Sequence, residues 1–133
     1  MRTMTYGLVS LLACLAIVVQ APAQEGHPLS GTWHGTWGPN ATDRTDVTLV
    51  MNWDGTLSGM VNPGLKSAKL QKVALDASNW GVHFEADLKD KSGAVVHFVA
   101  DGKIEDVTNA RRAIVGTWIQ GSVKGDFKVV RDN

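Results

Sequence analysis

The sequence predicts an all-β domain: an eight-stranded antiparallel up-and-down β-barrel following an N-terminal signal peptide. Three observations carry that expectation. Short apolar alternations of period two recur from residue 31 to residue 131, separated by hairpin-scale turn chemistry such as Asp54-Gly55, Asn62-Pro63-Gly64 and Gly121-Ser122. That span shows no convincing amphipathic helical pattern. The opening segment Gly31-Thr32-Trp33-His34-Gly35-Thr36-Trp37-Gly38 is echoed late by Gly116-Thr117-Trp118-Ile119-Gln120-Gly121. In each, a wide aromatic shares a strand face with glycine, which suits a tightly curved sheet. Their places near the two ends of the domain predict that first and late strands meet and close the barrel, removing exposed edges. A two-sheet sandwich is the alternative.

The first 23 residues read as an export signal. Arg2 supplies the positive start, Leu8 to Val19 the apolar run, and Ala21-Pro22-Ala23 the small-residue cleavage site. The run is too short for a permanent membrane span and no second one follows. A rival reading takes Leu11-Leu12-Ala13-Cys14 as a lipoprotein box, but it would cut the apolar run in half. Ordinary cleavage removes Cys14, the single cysteine, and leaves about 110 residues whose core must hold without a disulfide. The expected location is secreted or periplasmic. Thirteen basic side chains balance thirteen acidic ones, and no basic stripe points to nucleic acid or an anionic membrane.

Residues 24–30 read as a polar, mobile lead-in, and 31–131 as the barrel. The first strand runs from Gly31 to Trp37, followed by a loop over 38–44 that contains the acceptor pattern Asn40-Ala41-Thr42. Thr45 to Asn52 is the second strand, with Val47, Leu49 and Met51 on one face. Thr56 to Asn62 returns as the third. A three-residue loop pairing Asn52 with Thr56 places Val47, Leu49 and Met51 opposite Val61, Gly59 and Leu57, one apolar face throughout. Lys69 to Asp76 is a less regular fourth strand with Val73 and Leu75 inward. The fifth is the clearest: Trp80, Val82, Phe84, Ala86 and Leu88 alternate with Gly81, His83, Glu85, Asp87 and Lys89. Ala94 to Gly102, extendable to Glu105, is the sixth. Residues 107–111 are irregular, Ile114, Gly116 and Trp118 mark the seventh strand, and Lys124 to Arg131 is the eighth.

These residues resemble a known group. Gly31-x-Trp33 on the first strand, Asp54-Gly55-x-Leu57-x-Gly59, and Gly116-Thr117-Trp118 before a last strand ending in Arg131 are similar to the calycin barrels, the lipocalins and avidins. The similarity is nearer to small exported bacterial domains found alone or ahead of α/β-hydrolase domains. It covers residues 31–131 and implies a structural set of Gly31, Trp33, Gly116, Trp118 and Arg131, with Arg131 as a cation–π lid over Trp33. Biotin binding is not implied, because the avidin residues for it do not map, and hydrolase catalysis is not, because no hydrolase domain follows in this sequence.

Two candidate sites follow. Trp33, Trp53, Trp80 and Trp118 are expected to point inward and Trp37 to sit at the mouth. They would line a pocket for a small hydrophobic ligand at an open end near Trp37 and Trp53, or else fill the lumen as core. His83, Glu85 and His97 share one face of the fifth and sixth strands. A three-residue loop sets His83 opposite His97, a five-residue loop sets Glu85 opposite it. Two imidazoles and a carboxylate could bind zinc or perform acid–base work, or could be a plain polar surface, since they lie opposite Trp80, Val82 and Phe84. His34 also points outward, and Val95 and Val99 flank His97 as a small apolar patch for a second copy or an envelope partner. The chain carries no calcium loop, phosphate loop, Cys-x-x-Cys or Gly-x-Ser-x-Gly, and no cofactor is expected. The expected function is an exported, non-catalytic barrel binding a small hydrophobic ligand. The alternative is a solid-cored module acting through its surface.

Overall fold

The computed structural model describes residues 26–64 and 67–132; the predicted signal peptide, Cys14 included, lies outside them. The described chain is all-β. Its strands are β1 (Gly31–Gly38), β2 (Thr45–Trp53), β3 (Leu57–Val61), β4 (Ala68–Lys69), β5 (Lys72–Asp76), β6 (Gly81–Lys89), β7 (Val95–Glu105), β8 (Ala113–Gln120) and β9 (Val123–Arg131). They form one curled antiparallel sheet in the order β4-β3-β2-β1-β9-β8-β7-β6-β5. No helix among the described residues is long and apolar enough to cross a membrane.

Nine strands replace the predicted eight because the fourth is broken. Ala68 and Leu70 turn toward the core, Gln71 and Lys72 are both exposed, and Val73 and Leu75 turn inward again. Two consecutive outward residues reverse the inward parity, as a β-bulge does, and the added twist redirects the chain. The Leu70 N–H still donates to the Gly59 carbonyl of β3 at 2.9 Å, whereas the next N–H, of Gln71, donates to the Glu85 carbonyl of β6 at 2.8 Å. The two terminal strands of the sheet are therefore consecutive in the chain, and residues 70–71 tie its ends together.

First and last strands meet as expected, with Trp33 opposite Arg131 and Trp37 opposite Phe127. The two Gly-Thr-Trp segments do not adjoin, however. β9 lies between β1 and β8, and Trp118 pairs with Gly125, six residues along β9 from the partner of Trp33. Two hairpin registers also differ from expectation, β2–β3 by two residues and β6–β7 by two from the five-residue loop or four from the three-residue one. The β2–β3 loop is Asp54-Gly55-Thr56, with Trp53 opposite Leu57 and Met51 opposite Gly59. The Asp54 side chain accepts the Thr56 N–H at 3.2 Å, and Gly55 takes a φ of 96°, which favours glycine. The β6–β7 ladder closes at Lys89 opposite Val95, so His97 faces Asp87 and His83 faces Asp101. Both shifts are even, so every side chain keeps its expected face.

The core is a continuous set of inward side chains, among them Trp33, Leu49, Met51, Phe84, Phe98, Ile114, Trp118 and Phe127. The expected mobile lead-in is docked where it is described. Leu29 is fully buried, and its carbonyl accepts the Trp33 Nε1–H at 2.8 Å, which satisfies a polar atom that burial would otherwise strand. Inward glycines allow close strand approach rather than leaving space. A Cβ on Gly35 would lie 1.8 Å from the Lys128 carbonyl oxygen, and one on Gly116 would lie 2.1 Å from that of Asp101.

Two substitutions test this packing. Gly35→Ala must push β9 backbone aside and is expected to lower unfolding free energy by about 3 kcal/mol in urea titration. Leu29→Ala leaves the acceptor carbonyl but empties an apolar site, with an expected loss of about 3 kcal/mol. A neutral result for the second would show that residues 26–30 do not belong to the cooperative core.

Candidate functional site

β6 and β7 alternate cleanly, so their odd-numbered residues stand on the outer face. Side by side there, His83, Glu85, Asp87, His97 and Asp101 form one unbroken line of hydrogen bonds. Asp101 Oδ1 faces His83 Nδ1 at 2.6 Å, and His83 Nε2 faces Glu85 Oε2 at 2.6 Å. Glu85 Oε1 faces His97 Nε2 at 2.7 Å, and His97 Nδ1 faces Asp87 Oδ1 at 2.8 Å. Gln71 ends the line, its Nε2–H donating to Asp87 Oδ2 at 2.7 Å.

Donor counting sets the charge of this line. Each of the four imidazole nitrogens meets a carboxylate oxygen, which only accepts when ionised, while a neutral imidazole offers one N–H. Four bonds need four N–H groups, so both rings are imidazolium in this arrangement. The line then reads minus, plus, minus, plus, minus. His83 is raised above its ordinary pKa by Glu85 first and Asp101 second, and His97 by Asp87 first and Glu85 second. Reciprocally, Glu85 is pulled down to about 2 by the bonds from His83 and His97, and Asp87 is lowered by His97 and Gln71.

The sign of the linkage follows. The raised histidines stabilise the fold fully below the unfolded value near ~6.5, and that contribution is lost as pH rises through their higher folded values. The lowered carboxylates contribute above their unfolded values near ~4, and lose it as pH falls through the folded ones. Both are in force together from about pH 4.5 to 6.5.

Sequence reading grouped His83, Glu85 and His97 as a site; it placed Asp87 on the same face without joining it to them, and left out Asp101 and Gln71. The two aspartates share the same strand parity and were open to that reasoning; Gln71 arrives only through the bulge. The geometry is a line rather than a cage. Among the described residues no group of three or more His, Cys, Asp or Glu is arranged to hold a metal ion. His34 stands apart on the outer face of β1, near Thr48 and Asp132.

The tryptophans do not converge on one mouth. Antiparallel pairing puts the end of β1 beside the start of β2, with Trp37 opposite Thr45, so Trp37 and Trp53 lie at opposite ends of the sheet. Trp33 and Trp118 are buried core. Trp37 and Trp118 both pack on Phe98, with ring centroids 4.6 Å and 5.3 Å away. Trp80 is half-buried at the turn before β6, in the left-handed region at φ 58°. Trp53 is 47% exposed and lies 4.8 Å from the ring of His27, whose pKa is lowered by partial burial. Neither of the two best-formed clefts has a tryptophan in its lining. One, of about 320 Å³, is lined by Gly26, His27, Pro28, Ser30, Arg112 and Arg131. The other, of about 590 Å³, is lined by residues 67–71 and Asp87. In the first, the Arg131 guanidinium donates to the carbonyls of Ala110 at 2.9 Å and Ser30 at 3.3 Å, while its stem lies against Gly31.

No protein-family model, no curated protein and no solved structure matches this chain.

Glu85→Gln tests the shared carboxylate. A neutral amide cannot hold two imidazolium rings, so the pKa values of His83 and His97 are both expected to fall toward the ordinary histidine range. Proton NMR titration of the two rings reads this directly. Unchanged midpoints would show that they do not share Glu85.

Proposed function

We propose that this protein is an exported, non-catalytic β-barrel with a solid core that acts through its outer surface on an envelope protein. The observation that carries this reading is the filled interior. Phe98 sits among Trp37, Trp118 and Phe84, and Phe84 meets Phe127 edge-on at 5.6 Å, so aromatic rings occupy the space a ligand would need. The export step rests on Arg2, the apolar run and Ala21-Pro22-Ala23. The outward apolar side chains cluster on β7 and β8: Val99 pairs with Ile119 across the strands, Ile119 is 56% exposed and Val95 63%. Such side chains on the outer face of a sheet are a contact surface of modest size.

The ligand-binding reading keeps one specific support. Trp53 presents nearly half of its surface at the end where His27 stacks on it, an aromatic platform for a flat apolar molecule. The similarity to calycin barrels points the same way.

One experiment separates the two. A panel of apolar dyes is titrated against tryptophan fluorescence, and affinity capture from envelope extract is run on the same protein and on Ile119→Lys. The surface reading expects no saturable quenching and a captured protein lost in the variant. Saturable quenching that disappears in Trp53→Ala would establish the ligand reading instead.

A further inference from the structure

The imidazole–carboxylate line ends on Gln71, one of the two residues that tie the ends of the sheet together, and that placement has a mechanical consequence. Between β4 and β5 the backbone ladder is interrupted. Leu70 is held by its N–H on Gly59, and Gln71 by its N–H on Glu85 and its side chain on Asp87. Glu85 and Asp87 are the two carboxylates that also receive His97. Asp87 therefore anchors the crossing residue and receives the protonated ring with one side chain, while Glu85 holds Gln71 by its backbone carbonyl and His97 by its carboxylate. Beside them runs the cleft lined by residues 67–71 and Asp87, directly over buried Leu70.

We propose that the line Asp101–His83–Glu85–His97–Asp87–Gln71 is a proton-operated clasp that holds the crossing segment 70–72 against β6 and releases it as the imidazoles lose their protons.

The charge count drives the release. With both rings protonated, three carboxylates and two imidazolium ions leave one net negative charge along the line. With both rings neutral the net is three, and two of the four nitrogen–oxygen contacts set lone pair against lone pair. The Asp87 and Glu85 carboxylates must then move apart, and the Gln71 side chain that Asp87 holds moves with it. The surrounding charges moderate this without cancelling it. Lys72 of β5 stands opposite Glu85 and holds part of its charge. Lys69 lines the adjacent cleft. Lys89 on β6 and Lys103 on β7 lie on the same outer face beyond the two ends of the line. From β8, Val115, Thr117 and Ile119 face β7, and none of them titrates. The bonds to His83 and His97 raise both rings, so the release falls at higher pH than an ordinary histidine titrates.

Native-state amide hydrogen exchange on the purified protein between pH 5.5 and 9 tests the clasp, with the intrinsic pH dependence of exchange divided out. The amides of Leu70 and Gln71 are expected to open about tenfold more often for each pKa unit by which a ring in the line is raised. Those of Phe84 and Phe98 in the core should lose protection only by as much as global stability falls over the same range, and stay better protected than the crossing amides throughout. In His97→Gln the two crossing amides should exchange rapidly already at pH 5.5 and lose most of their pH dependence. His83→Gln, at the far end, should shift the midpoint without abolishing it. Level protection of residues 70–71 across the range in the wild type would overturn the proposal. So would crossing amides that open at every pH with the same free energy as the core amides, since that reports global unfolding rather than a clasp.

Discussion

Two consecutive outward side chains, Gln71 and Lys72, govern the architecture. A strand that keeps strict alternation stays beside one neighbour. One that inserts an extra outward residue bends and twists. Here the insertion reverses which parity faces the core, from Ala68 and Leu70 to Val73 and Leu75, and it carries the chain from β3 to β6. Every other connection in the sheet is a short hairpin or turn between adjacent antiparallel strands, or the β1–β9 pairing of first and last strands. The sheet can curl until its ends face each other only because one short segment belongs to both ends. Lys72 and Gln71 are polar for the same reason that the bend is there: neither has an inward place to occupy.

Curvature then decides what the core contains. Strands that approach as closely as β1 and β9, or β7 and β8, leave no room for a Cβ at Gly35 or Gly116. Small inward residues at these points make way for backbone, and the large rings pair across the ladder with one another or with small residues, as Trp37 does with Phe127, Phe127 with Gly116 and Phe84 with Ala100. Hence Trp37, Phe84, Phe98, Trp118 and Phe127 form one aromatic cluster toward the β1 C-terminal end, while Trp33 is sealed at the other end by Leu29. The lead-in is thus part of the domain. Ordering it buries the Leu29 side chain and gives the indole N–H a partner that burial would otherwise deny it.

How much of this was legible in the sequence varies by element. The β6 alternation from Val82 to Leu88 fixes its faces without ambiguity, and the outer location of His83, Glu85 and His97 follows from it. Hairpin registers were legible to parity but not to position, because a shift of two residues keeps every side chain on its face, and Asp54-Gly55 fits a three-residue loop in either frame. The break at 70–71 did leave a trace: Leu70 and Val73 are three apart, a spacing that period two forbids for one face. Trp53 was misread because parity governs direction only inside a strand. At the last residue of β2 it meets Leu57 across the ladder and the ring of His27, nearly half of it stays open, and inward parity becomes exposure. The pairing of the two Gly-Thr-Trp segments failed for a simpler reason, since adjacency of β1 to the last strand leaves the penultimate one a strand away.

The aromatic interior and the charged outer line constrain function in opposite ways. Hollowing a chamber large enough for a ligand would require moving a ring such as Phe98 out of contact with Trp37 and Trp118. Truncating a buried Phe typically costs about 3–5 kcal/mol, against a total stability of about 5–15 kcal/mol for a domain. The only cysteine of the sequence, Cys14, lies before the sheet, so no disulfide within residues 31–131 offsets such a loss. The outer face of β6 and β7 carries no such penalty. Its charges balance in water, change with one proton at a time, and connect to the segment that ties the sheet together. Any property of this fold that varies under mild conditions therefore has to be read from that face, while the interior stays as it was folded.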